Sequence, residues 1–184
     1  HNIMATIKNP LFIIGSPRSG TTILGRILGN HPELIEVREP RLIWKYGNDH
    51  KSDLLTEKDL TPKIKARIRA KLAEKAPAEE GLRLLDKSPN NALRIPFILS
   101  IFPDAQFIHI MRNGYDAALS IRSFWENKTS GLDYKRVETG ESILQQRLKE
   151  MHWTQVPYYA GEFCDRFLSK VGFNRQVPWG TRIP

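Results

Sequence analysis

The sequence predicts an α/β fold in which a parallel β-sheet is flanked by helices. Short apolar runs with strand character alternate with stretches of helical periodicity, and no hairpin signal joins any two of the runs. With 184 residues, the chain is long enough to bury a sizeable core. We therefore expect residues 1–184 to form one domain.

The first element is a strand at Leu11–Ile14, which is short, apolar and rich in β-branched residues. A loop bounded by Gly15 and Gly20 follows it, and a helix begins at Thr21-Thr22. A strand, a glycine-bounded loop and a helix start together form an anion site. The first N–H groups of a helix have no intrahelical partner, and the helix dipole favours negative charge at that end. We expect a ligand of the phosphate type.

The loop nearly matches the Walker A pattern, G-x-x-x-x-G-K-[ST]. Gly15, Gly20 and Thr22 fit this pattern, but Thr21 stands where the lysine should be. In nucleotide triphosphatases that lysine reaches the β- and γ-phosphates, so its absence disfavours ordinary ATP chemistry. The nearest cation is Arg18, inside the loop.

The later elements continue the alternation of strands and helices. Residues 47–61 are polar and predict a loop over the site. The remaining strands are predicted at Leu34–Val37, Leu82–Leu85 and Gln106–Met111. Helices are predicted at Thr61–Lys75, at Asn90–Phe102 with a bend or a restart near Pro96, and from Gly114 to about Trp125.

The helix at Thr61–Lys75 has two different faces. Ile64, Ile68 and Leu72 form an apolar stripe, which predicts a face buried against the core. The opposite face carries a run of lysines and arginines. Such a run predicts a solvated surface, and a substrate-binding surface is the alternative.

Charged side chains follow all four predicted strands. Arg18 lies in the loop after the first strand, and Glu39, Lys87 and Arg112 follow the second, third and fourth. In an open parallel sheet, ligands bind outside the carboxyl ends of the strands. We therefore expect three cations and one carboxylate to meet at one sheet edge and to form a functional cleft there.

The composition of the chain limits the kinds of partner that we expect it to bind. The net charge of +8 predicts anionic ones. The basic residues are scattered, and no RNA-binding motif or zinc-finger spacing is present, so we expect no nucleic acid. No His/Cys cluster has metal-ligand spacing, and no apolar stretch is long enough to span a membrane. The lone Cys164 indicates a reducing compartment and hence a cytoplasmic location.

The sequence PRSGTT after an apolar strand resembles the 5′-phosphosulfate loop of sulfotransferases that use 3′-phosphoadenosine-5′-phosphosulfate (PAPS). The similarity continues through Asn30–Pro32 to Glu39–Arg41, and it resumes at Asp86–Pro89 and at Phe102–Ser120. It is strongest to the tyrosylprotein sulfotransferases and to bacterial sulfotransferase domains, and it covers about Leu11–Trp125. The resemblance implies a P-loop-like sulfotransferase fold with a nucleotide-binding site.

The resemblance also implies which residues bind the donor. The 5′-phosphosulfate would be held by consecutive residues of the loop and the helix start, namely Arg18, Ser19, Gly20, Thr21 and Thr22. The 3′-phosphate would be held by Arg112 and Ser120, since a guanidinium suits phosphate oxygens. Adenosine 3′,5′-bisphosphate would be released. No metal would be required, because cations of the protein would take the role of Mg²⁺.

Catalytic roles follow from the same resemblance. Glu39 matches the carboxylate that acts as general base in the tyrosylprotein enzymes, and Arg41 matches a substrate-binding position. Lys87 matches the lysine that neutralises the transferring group, a role that Arg18 would share. Histidine is the base in other branches, so the base stays open between Glu39 and a histidine. His109 is expected to be either a core histidine or one whose ring is satisfied by hydrogen bonds.

Two other function classes stay open. A divergent P-loop kinase or NTPase would prefer ATP with Mg²⁺, whereas a non-catalytic module for anions or nucleic acid would show steep salt dependence and no turnover. The acceptor hydroxyl is equally open among peptide tyrosine, sugar, lipid, polyketide and small alcohol. Bacterial relatives usually continue beyond a tract like Trp179–Arg182, so we expect the family's usual C-terminal part to be missing.

Overall fold

The computed structural model describes residues 7–76, 82–126, 148–161 and 164. The strands of this part of the chain form one sheet in the order β2-β3-β1-β4, and every pairing is parallel. The predicted α/β class with a parallel sheet is confirmed. The strands are β1 (Leu11–Gly15), β2 (Leu34–Arg38), β3 (Arg83–Lys87) and β4 (Gln106–Ile110).

Helices connect the strands and cover the sheet. None of those in the described ranges is long and apolar enough to cross a membrane. Short 3₁₀ helices occur at Glu57–Asp59, Pro89–Leu93 and Trp153–Gln155. The α-helices are α1 (Thr21–Gly29), α2 (Arg41–Lys45), α3 (Pro62–Lys75), α4 (Ile95–Ile101) and α5 (Gly114–Glu126).

One helix of the structure is missing from the sequence prediction, and one predicted helix is divided in two. The helix α2 was not predicted, because its five residues are too few to show a helical period. The predicted helix at Asn90–Phe102 is divided, as the restart near Pro96 anticipated: a 3₁₀ helix ends at Leu93 and α4 begins at Ile95. Pro96 lies in the first turn of α4, where its missing N–H is not needed.

The third strand is longer than predicted. Asp86 and Lys87 belong to β3, since Asp86 is in register with Phe12 of β1 and Lys87 with Ile13. The expectation that Lys87 follows the strand is therefore wrong: Lys87 is its last residue. Two charged side chains resemble a turn in the sequence, but here both are buried at the end of a central strand.

The core lies between the sheet and helices α2, α3 and α4. The ring of Phe12 contacts Trp44 edge-on at 5.9 Å and stacks on Phe107 at 5.4 Å. The predicted apolar stripe of α3 is buried in this core. His109 is exposed, so it is not a core histidine: it lies on β4, the edge strand of the described sheet, although its register neighbour Ile14 is buried.

The basic face of α3 is only partly solvated. The Lys65 ammonium donates to the carbonyl of Ser100 at 2.8 Å, and the Arg69 guanidinium donates to the carbonyl of Ile101 at 2.9 Å. Both carbonyls lie at the C-terminal end of α4, where oxygens have no intrahelical partner and the helix dipole favours cations. Part of the predicted solvated charge run therefore stabilises the packing of α3 on α4.

Candidate active site

The loop between β1 and α1 depends on two glycines. A β-carbon on Gly15 would lie 2.6 Å from the carbonyl oxygen of Ile110, so any side chain there would collide with the end of β4. Gly20 precedes α1 at a φ of 103°, a conformation that favours glycine, and it has open space around its α-carbon. The backbone of this loop is therefore accessible to a ligand at Gly20.

The start of α1 has the properties of an anion site. The Ser19 hydroxyl donates to the carbonyl of Ser16 at 2.7 Å and closes the loop below the helix. The residue at the N-cap of α1 is Gly20, which has no side chain to cap the helix. The first turn of α1 carries no acidic residue. Thr21 is buried and Thr22 is partly exposed. The positive end of the nine-residue helix thus faces the loop without a competing carboxylate in its own first turn.

Three of the predicted donor-binding residues lie together on one side of this loop. The Arg18 Nε donates to the Ser120 hydroxyl at 3.2 Å, which joins the loop to α5. The Arg112 Nη1 donates to the carbonyl oxygen of Arg18 at 2.9 Å. The three side chains are exposed or partly exposed. Both guanidinium groups and the hydroxyl therefore lie where phosphate oxygens can reach them.

Glu39 and Lys87 form an ion pair on the neighbouring strands. The Lys87 Nζ lies 2.7 Å from the Glu39 Oε1, with the lysine side chain 9% exposed and the glutamate 35% exposed. The register of β2 and β3 sets Arg38 beside Lys87, so Glu39 follows directly at the sheet edge. Glu39 has a φ of 43°, in the left-handed region that residues other than glycine rarely adopt.

Helix α1 connects the ion pair with the loop. A β-carbon added to Gly25 would lie 3.0 Å from the Cγ of Lys87 and 3.4 Å from the Oε1 of Glu36. The aliphatic stem of Lys87 therefore runs directly against α1, the helix that follows the loop at residues 15–20, which we call the anion loop. This close approach requires a residue without a side chain at position 25.

Below the ion pair lies a buried carboxylate. Asp86 is fully buried and accepts hydrogen bonds from Trp44 Nε1 at 2.7 Å, from the Ser88 hydroxyl at 2.5 Å and from Asn91 Nδ2 at 3.1 Å. Burial raises the pKa of Asp86 to about 6, against the opposing effect of these donors and of the Arg94 charge.

A second buried cluster holds the segment at residues 47–61. The Arg94 Nη2 lies 3.1 Å from Asp53 Oδ1. The Lys45 ammonium donates to the carbonyls of Lys51 at 2.5 Å and Ser52 at 2.9 Å. Burial lowers the pKa of Lys45 to about 8. The predicted polar loop is thus bonded to α2 and to the residue that precedes α4, and it contains its own 3₁₀ helix.

The structure brings five of the candidate residues into two groups at the carboxyl edge of the sheet. One group is Arg18, Ser120 and Arg112, and the other is Glu39 with Lys87. Arg41 begins α2 and is exposed. Within the described ranges, no group of three or more His, Cys, Asp or Glu residues could hold a metal ion.

Sequence reasoning did not find the role of Asp86 and Trp44. In the sequence, Asp86 is only the first residue of the Asp86–Pro89 motif, and Trp44 lies on α2, a helix that the sequence does not predict. The signal available in the sequence was a carboxylate directly before the candidate lysine at the end of an apolar run. A single acidic residue at such a place also fits a solvated turn, and only the fold shows that Trp44 covers it.

Comparison with known proteins gives one family. A profile described as "Sulfotransferase family" matches residues 10–165. An uncharacterized protein of Aquifex aeolicus (strain VF5) is 32% identical over 127 residues, which are 61% of this chain and 17% of that protein. A putative protein-tyrosine sulfotransferase of Caenorhabditis briggsae is 30% identical over 145 residues, 72% of this chain and 48% of that protein. This chain spans less than half the length of either relative.

Among solved structures, sulfotransferase STF1 from Mycobacterium tuberculosis H37Rv aligns with a TM-score of 0.37 and 19% identity. The alignment covers 59% of this chain and 46% of that one.

Proposed function

The chain belongs to the sulfotransferase family, and from this we propose that it transfers a sulfuryl group from PAPS to an acceptor hydroxyl. The observation that carries the proposal is the shared edge of the sheet. An anion loop with two arginines lies there, and α1 connects that loop to a buried lysine paired with a carboxylate. PAPS carries phosphate groups at two positions, which the loop and the two arginines would bind. The acceptor hydroxyl must lose a proton, which the carboxylate paired with the lysine would accept.

The charges of the residues present support PAPS as the donor. The helix start and Gly20 offer N–H groups with no side chain in the way, which suits the 5′-phosphosulfate. Arg18, Arg112 and Ser120 would share the phosphate contacts on the α5 side. In this assignment Ser19, Thr21 and Thr22 complete the loop. When bound, PAPS supplies the activated sulfuryl group and leaves as adenosine 3′,5′-bisphosphate.

The second group of residues would handle the proton and the charge of the reaction. Glu39 would accept the proton of the acceptor hydroxyl as its oxygen forms the new bond to sulfur. Lys87, already adjacent to Glu39, would offset negative charge on the transferring group together with Arg18. Arg41 lies two residues after Glu39 on an exposed helix start, where it would contact the acceptor.

The name of one relative and the charge of the chain indicate which class of acceptor to assay first. The Caenorhabditis briggsae relative is named as a putative protein-tyrosine sulfotransferase, so a tyrosine-containing peptide is the first acceptor to assay. The net charge of +8 favours an acidic peptide over a neutral one. The cytoplasmic location and the single-domain organisation stay predictions.

The test is calorimetric titration with adenosine 3′,5′-bisphosphate and, separately, with ATP plus Mg²⁺. The wild-type protein should bind the bisphosphate and prefer it to ATP. Arg112→Ala should weaken the bisphosphate affinity by about tenfold or more, since the guanidinium gives charge-assisted contacts. The matched control is Lys63→Ala, which removes one positive charge from the exposed face of α3 and should leave the affinity unchanged.

Each rival predicts a different result. A preference for ATP with Mg²⁺ would support the kinase or NTPase class. Equal weakening in Arg112→Ala and Lys63→Ala, with a steep salt dependence, would indicate non-specific attraction of anions. Wild-type affinity in Arg112→Ala would contradict the proposed 3′-phosphate site.

A further inference from the structure

Asp86 occupies an unusual place for a carboxylate. It lies within a central strand, in register with Phe12 on one side and Val37 on the other, and its side chain is fully buried. A buried carboxylate is costly unless hydrogen bonds compensate it, and replacing such groups by apolar residues is often neutral or stabilising. Its presence here therefore calls for a reason other than stability.

The donors to Asp86 come from three different segments. Ser88 lies just beyond β3, Asn91 lies in the 3₁₀ helix that follows, and Trp44 lies on α2. The Trp44 bond is the long-range one, and it joins β3 to a helix from another part of the chain. Trp44 also contacts Phe12 edge-on, so packing and the indole N–H bond together fix the position of α2.

Each end of this bond belongs to a backbone segment that carries one partner of the ion pair. On the strand side, Asp86 immediately precedes Lys87. On the helix side, α2 begins two residues after Glu39, and the Arg41 N–H donates to the carbonyl oxygen of Glu39 at 2.7 Å. The bond from Trp44 to Asp86 therefore connects the backbone segments that carry Glu39 and Lys87.

Glu39 needs such a connection. Its φ of 43° is unfavourable for a residue with a β-carbon, and such a conformation persists only where the surrounding structure holds it. Small displacements of a catalytic group reduce turnover strongly, because proton transfer requires hydrogen-bond distance.

We propose that Asp86 is a positioning residue for the reaction: through its hydrogen bond from Trp44, it fixes where Glu39 and Lys87 lie relative to each other. This inference rests on the proposed sulfuryl transfer. It concerns the base and the lysine, and it makes no claim about the donor-binding loop.

The first test needs no acceptor. The side chain of Lys87 is nearly buried and paired, so its amino group should react slowly with an amine-directed acetylating reagent, which mass spectrometry can follow residue by residue. Trp44→Phe keeps an aromatic ring in the core and removes the indole donor. It should speed acetylation of Lys87 by about fivefold or more, because the ion pair is no longer held.

The control for this test is Arg69→Met, which removes the hydrogen bond between α3 and α4, a bond that shares no residue with the Asp86 cluster. It should leave the acetylation rate of Lys87 at the wild-type value. An unchanged rate in folded Trp44→Phe would overturn the inference. An equal increase in both variants would also overturn it, since that would reflect general loosening.

The second test uses turnover of PAPS with a tyrosine peptide. Trp44→Phe and Asp86→Ala should lower kcat by about tenfold while the affinity for adenosine 3′,5′-bisphosphate stays at the wild-type value. Asp86→Asn keeps an oxygen that can accept from Trp44, so it should retain more activity than Asp86→Ala. A parallel loss of kcat and bisphosphate affinity would indicate a merely structural role and contradict the inference.

The two proposals fail in different ways. If the wild-type protein does not bind the bisphosphate, the proposed function is wrong, whatever the variants do. If it binds the bisphosphate but does not sulfate the peptide, the acceptor is wrong, and the acetylation rates of Lys87 decide the role of Asp86.

Discussion

Arg18 and Glu39 share a backbone property that their side chains do not reveal. Both have positive φ values, 66° for Arg18 and 43° for Glu39, although neither is a glycine. A β-carbon in this region crowds the carbonyl oxygen that follows it and costs of the order of 1 kcal/mol. Such residues are frequent at functional sites, where the surrounding structure holds them in place. Here each one makes a side-chain bond across the site, to Ser120 and to Lys87.

The base assignment makes a direct prediction. Glu39→Gln keeps the size of the side chain but cannot take a proton, so kcat should fall by a factor of about 100 or more. The affinity for adenosine 3′,5′-bisphosphate should stay within about twofold, because Glu39 is not among the proposed donor contacts. Turnover of PAPS with a tyrosine peptide and calorimetry measure the two quantities.

Glu33→Gln is the matched control for this prediction, since Glu33 is an exposed carboxylate just before β2. It should leave both quantities unchanged. If Glu39→Gln retained wild-type kcat, the base would have to be sought elsewhere, with a histidine as the alternative already raised by the sequence.

At this scale the sequence predicts charge but not conformation. The placement of Arg18, Glu39, Lys87 and Arg112 near the carboxyl ends of the strands follows from the alternation of strands and turns. The fully buried state of Asp86 does not, because Trp44 covers it from a segment far away in the chain. Burial by a distant residue leaves no local pattern.

Among the elements, α1 is the one whose packing most directly affects the site. Gly25 lies on its inner side, where an added β-carbon would press on the Cβ and Cγ of Lys87 at 3.2 and 3.0 Å. Glycine in a helix interior is otherwise unfavourable by roughly 0.5 to 1 kcal/mol relative to alanine. The close approach to Lys87 is therefore obtained against the intrinsic preference of the helix.

Two glycine substitutions separate these effects. Gly161→Ala, in the helical stretch at residues 156–161 with nothing near its α-carbon, should raise the free energy of unfolding by up to about 1 kcal/mol. Gly25→Ala should lack this gain, because the new methyl group must displace the stem of Lys87. Urea denaturation measures both. An equal gain in the two variants would mean that Lys87 moves aside without cost.

The elements differ in how well the sequence predicts them. The stripe of Ile64, Ile68 and Leu72 predicts α3 within one residue at its start, because fourteen residues show several helical periods. The five residues of α2 show none. The cations on the outer face of α3 were expected in solvent, but the end of α4 lies close enough to accept hydrogen bonds from Lys65 and Arg69.

For the whole molecule, the buried carboxylate makes stability depend on pH in an uncommon direction. The pKa of Asp86 is raised from 3.8 to about 6, so the folded protein binds more protons at this group than the unfolded chain does between those values. Its contribution to the free energy of unfolding therefore falls as the pH rises through this window and stays low above it. A shift of this size corresponds to about 3 kcal/mol.

The comparison of wild type with Asp86→Asn isolates this contribution. Relative to the variant, the wild-type protein should be more stable at pH 4 than at pH 7, as measured by urea denaturation across the series. The opposite trend, with the wild type gaining on the variant as the pH rises, would mean that the hydrogen bonds and Arg94 outweigh burial. The folded-state pKa of Asp86 would then lie below its ordinary value.

The order of the strands has a consequence for folding. Leu11 of β1 pairs with Leu85 and Gln106, so both neighbours of the first strand are supplied by much later parts of the chain. The next strand along the chain, β2, pairs with β3 instead. Contacts between such distant residues form slowly, because the intervening chain must be ordered first. The anion loop should therefore be among the last features to acquire its native shape, and the ability to bind the bisphosphate would appear only after the sheet is complete.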